Sequence, residues 1–147
     1  MVDFNQPYKQ RTAKESNVAE TKCVEYLNDQ DNLYWYKFGF DETHKNIPFK
    51  YFIKIPEKLR CMPDYVCIGN YAFFLECKVY KGYLKLKEED LANYEYWNSI
   101  MKLWFFAYDC VKHKHHFKSF LQIKDKIPLS EIDTYPDNNK TYYKIRL

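Results

Sequence analysis

The sequence is poor in arginine: of its 23 basic residues only Arg11, Arg60 and Arg146 carry a guanidinium, and the rest are lysines. Lysine meets phosphate as a point charge and reads base edges poorly, so any nucleic acid bound here is read through backbone and shape. Paired Cys-x-x-Cys spacing is also missing. Cys23, Cys61, Cys67, Cys77 and Cys110 fall at irregular intervals, which excludes a zinc ribbon and a dithiol redox motif. Three of them lie in apolar runs, where cysteine acts as a small hydrophobe, a usage suited to a reducing cytoplasm. No apolar run approaches the length that spans a bilayer, and residues 1–16 lack the apolar core of a signal peptide. The expectation is a soluble cytoplasmic protein. There is no internal repeat and no low-complexity tract, and a net charge of +3 selects no partner by itself.

What is present is material for one core. Of 147 residues 46% are hydrophobic and 20% aromatic, enough for a single domain and too few for a second of ordinary size. Residues 1–11, with Pro7, read as a flexible polar arm ahead of a domain over 12–147. From Thr12 the pattern is helical: Val18, Cys23 or Val24, and Leu27 recur at three- and four-residue steps, and Asn28-Asp29 supplies a stop. The aromatic run Leu33–Phe40 reads as a strand. The proline-punctuated stretch from Asp41 to Pro56, with an apolar insert at Phe49–Ile55, reads as a long loop or a protruding hairpin.

Two apolar runs around Gly69-Asn70, Asp64–Ile68 and Tyr71–Val79, signal a hairpin covered on both faces. A helix over Lys87–Met101 follows, with Glu88, Glu89 and Asp90 in the first turn, where the helix dipole favours them. Leu103–Val111 is a further strand, Phe117–Ile123 a short one, and Pro128 opens a helix or turn. The fold class is α/β: one domain with a central mixed sheet flanked by helices.

Chemistry gathers on the hairpin. Asp64 opens its first strand, and Glu76-Cys77-Lys78 lies late in the second. Residues two apart on a strand share a face, so Glu76 and Lys78 project together and Cys77 faces away. Charges on an apolar strand are costly to bury without a partner or a purpose. A carboxylate from each strand can grip a hard cation such as Mg²⁺, with the Cys77 carbonyl as a further ligand and Lys78 orienting or deprotonating a water. The register decides the matter. A two-residue turn pairs Asp64 with Leu75 and puts Asp64 and Glu76 on opposite faces; a three-residue loop or a bulge pairs Asp64 with Glu76.

Pro63-Asp64, Glu76-x-Lys78 twelve residues on, and an upstream helical glutamate together resemble the PD-(D/E)XK nuclease superfamily. The run Phe74–Lys78, then Leu84–Trp97, then Trp104–Tyr108 is similar to the core of the RecU-type and archaeal Holliday junction resolvases. The resemblance spans roughly residues 12 to 125 in order of elements. It implies a restriction-endonuclease-like core and a metal site of Asp64, Glu76, the Cys77 carbonyl and Glu20. Glu15 is the rival for that helical position. It also implies Mg²⁺ as cofactor, with Mn²⁺ able to substitute, and a homodimer acting on four-way or other branched DNA. Where the resolvases usually carry a glutamine in the next helix, Asp90 or Asn93 stands.

Lys81, Lys85 and Lys87 are candidate phosphate contacts, with a plain solvated face as the alternative. His113, His115 and His116 are too closely spaced for a metal cluster and lack a fourth ligand, leaving phosphate contact or exposure. Trp35, Trp97, Trp104 and Phe105 are core candidates, although one exposed ring could stack on a base. Within the same fold the alternative task is restriction or repair of DNA. From a different class, the alternative is a nucleic-acid-binding module without catalysis.

Overall fold

The computed structural model describes residues 8–40 and 48–147, and in residues 8–14 the backbone only. The order is α1 (Tyr8–Asp29), β1 (Tyr34–Lys37), α2 (Phe49–Phe52), α3 (Glu57–Arg60), β2 (Tyr65–Ile68), β3 (Ala72–Tyr80) and β4 (Leu84–Lys87). A 3-10 turn (Glu88–Asp90), α4 (Leu91–Ile100), β5 (Leu103–Asp109), β6 (Lys114–Ser119) and α5 (Phe120–Lys124) come next. A second 3-10 turn (Ile127–Leu129), β7 (Glu131–Thr134) and β8 (Thr141–Ile145) complete the chain. Five strands form the main sheet in the order β1-β2-β3-β5-β6, and β4-β8-β7 form a smaller one. Every pairing is antiparallel except β3 with β5, which is parallel. The domain is thus α/β with a mixed sheet.

The unbroken apolar runs of β3 and β5 are explained by burial on both faces. On one side α1 lays Ala19, Cys23 and Leu27, four residues apart, over Tyr65, Cys67, Phe73, Leu75, Phe106 and Tyr108. On the other, Phe74, Phe105 and Ala107 pack against Tyr94 and Trp97 of α4, Leu84 and Leu86 of β4, Phe120 of α5 and Ile145 of β8. Burial of one such side chain contributes about 1.5–3 kcal/mol, so the two layers together hold the sheet. No helix among the described residues is long and apolar enough to cross a membrane.

Several elements differ from expectation. Helix α1 begins at Tyr8, four residues ahead of Thr12, so residues 8–11 belong to it. The arm over residues 1–7 lies outside the described residues. Val18 is exposed and Ala19 takes its place in the core. The stretch read as a loop or hairpin holds α2 and α3, each entered through a proline N-cap, Pro48 and Pro56; residues 41–47 lie outside the described residues. Proline fits there because the first helical turn leaves its N–H groups unpaired in any case. The strand placed at Phe117–Ile123 lies earlier, at Lys114–Ser119. Ser119 then stops it by capping α5, its hydroxyl accepting from the Gln122 N–H while Gln122 returns the bond to the Ser119 N–H.

Chain entry to the hairpin is fixed by one close approach. The N–H groups of Phe38 and Gly39 both donate to the Asp64 carbonyl, at 2.8 and 3.2 Å. A Cβ on Gly39 would stand 2.7 Å from the Pro63 carbonyl oxygen and 3.0 Å from that of Met62. Backbone must move to admit it. At Gly82 the positive φ of 75° is the only obstacle, since a Cβ there meets nothing within 4 Å. Gly39→Ala is therefore expected to cost about 1–3 kcal/mol, and Gly82→Ala about 1 kcal/mol. Urea unfolding of both variants checks the order.

Candidate active site

The β2–β3 hairpin turns through three residues, Gly69, Asn70 and Tyr71, closed by the Gly69 N–H donating to the Tyr71 carbonyl at 3.1 Å. Its register pairs Ile68 with Ala72 and Tyr65 with Leu75. One step further, Asp64 falls opposite Glu76. Residues opposite one another in an antiparallel pair share a face, so Asp64, Glu76 and Lys78 all lie on the α4 side. Of the two registers open in the sequence, the one that unites these side chains is the one observed.

The Asp64 carboxylate is tied to the edge of β3. Its Oδ2 accepts the Cys77 N–H at 2.8 Å. In a strand the N–H and C=O of one residue point to the same side, so the Cys77 carbonyl also faces the β2 edge. The residue opposite Cys77 in this register is Pro63, which has no N–H to give it. A carbonyl and two carboxylates thus converge where β2 begins. Such a set of oxygens suits a hard divalent cation that keeps several of its waters. Among the described residues no group of three or more His, Cys, Asp or Glu side chains is placed to hold a metal; Asp64 and Glu76 are two acids within electrostatic reach of one another.

Electrostatics mark the pair as unrelieved. Burial, then the Asp64 charge, pushes the Glu76 carboxyl from an ordinary 4.5 up to about 8, against the opposing pull of Lys78. The Lys78 Nζ lies 3.5 Å from Glu76 Oε1, and Glu76 keeps only 14% side-chain exposure. Burial alone would lower Lys78. Tyr94, which accepts a hydrogen bond from it, together with Glu76 and Asp90, raises it well above the ordinary value. Lys78 thus lies between an acid and a phenol.

One site residue, Tyr94, goes unread in the sequence, and Asp90 is read only through the family resemblance. Tyr94 of α4 sits against Lys78, its ring centroid 5.8 Å from Nζ. Asp90, the N-cap of α4, acts on Glu76, Lys78, Tyr94 and Cys61 together. In the sequence Asp90 is the third of three acids at a helix start, set apart from Glu88 and Glu89 only by the family resemblance. The helix itself is braced by α3: Lys58 Nζ donates to Asn93 Oδ1 at 2.9 Å, and Trp97 Nε1 donates to the Lys58 carbonyl at 3.0 Å.

The other candidates are dispersed. Glu20 stands on α1, on the opposite side of the sheet, where its charge, like that of Asp64, raises the Tyr65 hydroxyl after burial has done most of the work. Its rival Glu15 is paired with Lys81. The Cys77 thiol faces α1 as expected and meets Cys23, a contact that together with burial raises it. Lys85 and Lys87 project from β4 over tyrosines, both above Tyr135 and Lys85 also above Tyr142. His115 is stacked on Phe106, and His116 lies against Tyr80. Trp97 and Phe105 are buried. Trp35 and Trp104 are half-buried, with Trp35 Nε1 bonded to Asn28 and Trp104 stacked on Phe117.

No protein-family model, characterised protein or solved structure matches the chain.

The raised Glu76 carboxyl has a consequence for stability without metal. Between about pH 4.5 and 8 the folded protein keeps a proton that the unfolded chain has lost. Unfolding then releases a proton, so stability falls as pH rises through that window and levels off above it. Thermal melts in EDTA from pH 4.5 to 9 should show this slope, and Glu76→Gln, neutral throughout, should flatten it.

Proposed function

We propose that the chain is a metal-dependent DNA endonuclease of the PD-(D/E)XK type, with branched DNA, a four-way junction above all, as its substrate. The observation that carries the reading is the three-residue hairpin loop, which sets Asp64 across from Glu76 on the face that also bears Lys78. Asp64, Glu76 and the Cys77 carbonyl would hold Mg²⁺, or Mn²⁺ in its place. When bound, the ion supplies a water of lowered pKa and offsets charge on the phosphate. Asp64 is held for that task by the Cys77 N–H. Lys78, set beside Glu76 and Tyr94, donates to the water or to a phosphate oxygen, so that charge developing there meets a positive group. Asp90 and Tyr94 fix the ammonium in place. Glu20, on the α1 side of the sheet, is not part of this set.

Lys81, Lys85 and Lys87 supply charge for the DNA backbone outside the site. The scarcity of arginine fits recognition by shape, and a homodimer would set one centre on each of two opposed strands of a near-symmetric junction. Such an enzyme works in the cytoplasm of a bacterial or phage-infected cell, in recombination and repair. The segment between Phe40 and Arg60, braced on α4 through Lys58, is the part of the chain that reaches towards the branch.

The test is cleavage of labelled four-way junction and of matching linear duplex, with Mg²⁺ or with EDTA. The expected result is paired nicking of the junction in Mg²⁺ alone, lost in Asp64→Asn and reduced about 10²–10³-fold in Lys78→Met, the usual cost of one preorganised charged or polar donor. Equal cutting of both substrates would keep the nuclease and replace junction resolution by a restriction or repair task. Salt-sensitive binding with no cutting in Mg²⁺ or Mn²⁺ would sink the enzymatic reading in favour of a binding module.

A further inference from the structure

Beyond the hairpin, the parallel strands β3 and β5 end side by side, Tyr80 opposite Asp109. Outside the carboxyl ends of parallel strands is where open α/β sheets place their ligands. A cavity of about 430 Å³ opens there, walled by Lys81, Lys112, Lys114, His116 and Arg146 around the turn at Gly82. That volume is in the range of small-molecule sites.

The charges in this wall differ in how far they are already satisfied. Lys81 is paired with Glu15. Arg146 has only a long contact with Glu131, 3.9 Å, between two well-exposed side chains. Lys112 and Lys114 form no ion pair among the described residues. Asp109, the acid in the wall, is buried, and its Oδ1 already accepts the N–H groups of Val111 and Lys112 at 2.9 Å each. Those bonds, with the charge of Lys112, hold it below the ordinary carboxylate range. The carboxylate is therefore ionised, with its Oδ1 engaged by the loop backbone. His116 adds a second sign of incompleteness: its Nε2 is buried and has no hydrogen-bond partner. A buried polar atom left in that state is uncommon and calls for an explanation. Burial and the neighbouring lysines Lys114 and Lys118 push the imidazole below its usual pKa, against the pull of Asp109.

We propose that this cavity binds a terminal phosphate group, such as that of a nucleotide or of a phosphorylated strand end. Lysine heads suit it, as point charges that place no demand on planar geometry. A terminal phosphate carries close to two charges near neutral pH, against one for an internal diester, and a concave pocket at the strand ends admits an end more readily than a continuous backbone. The proposal concerns a place other than Asp64, Glu76 and Lys78, and does not rest on the nuclease reading.

Anisotropy in EDTA, where no cleavage confuses the result, tests it with two short 3′-labelled single strands that differ only in a 5′-phosphate or a 5′-hydroxyl. The wild-type protein should bind the phosphorylated strand at least about tenfold more tightly, a difference carried by the lysines that neutralise it. Lys112→Ala with Lys114→Ala should erase the difference and leave the hydroxyl strand unaffected. Lys22→Ala with Lys124→Ala, which removes the same charge elsewhere, should preserve it. Competition by inorganic phosphate as well as by AMP would mean that the group alone is recognised, and competition by AMP only would add the nucleoside; either agrees with the proposal. Equal affinity for the two strands, no binding of either, or a preference that survives in the Lys112/Lys114 double variant would overturn it.

Discussion

Strand β3 must be covered on both faces while carrying a carboxylate and an ammonium, and much of the molecule follows from that demand. Phe73 and Leu75 are spent on α1, and Phe74 and Tyr80 on the opposite layer. Glu76 and Lys78 fall on this second side because of their parity with Phe74. Two charges in such surroundings are costly unless each has polar neighbours. They have each other at 3.5 Å, Tyr94 beside the ammonium, and Asp64 and Asp90 within electrostatic reach. The strand is thereby central to the fold and strained in its electrostatics at one spot.

The geometry around that spot is redundant. Asp64 is held through its main chain, where the carbonyl accepts two N–H groups from the end of β1, and through its side chain, which accepts from Cys77. Helix α4 is held from outside by Lys58 and from inside by Trp97 and Tyr94 packed on Phe74 and Phe105. A group fixed from two directions need not reorganise when a charge develops beside it, which is the condition under which fixed dipoles and charges are most effective.

The hairpin, α4 and β5 were legible in the sequence because long apolar runs and acidic helix starts are local signals. The register was legible only as a choice between two, since Gly69-Asn70 reads as a turn whether or not Tyr71 joins it. The small sheet was not legible at all. Leu84 and Leu86 alternate with Lys85 and Lys87, but over four residues that pattern is too short to weigh, and β7 has all four residues exposed, leaving no apolar face to detect. The role of Asp90 depends on a contact between α4 and β3 that no spacing along the chain encodes. Glu20 shows the reverse case: its helix was legible, yet the face it presents was set by Ala19 and Cys23 rather than by Val18.

The double donation from Phe38 and Gly39 to the Asp64 carbonyl has a further meaning. It brings the two ends of the segment from Phe40 to Pro63 together, so the chain leaves the sheet and returns to it at one point. The entropy of closing such an excursion grows slowly with its length, by about 0.6 kcal/mol per doubling. A change in the segment's length outside α3 therefore bears lightly on the closure itself. The length of the segment is thereby separated, along the chain, from the few atoms that the hairpin fixes.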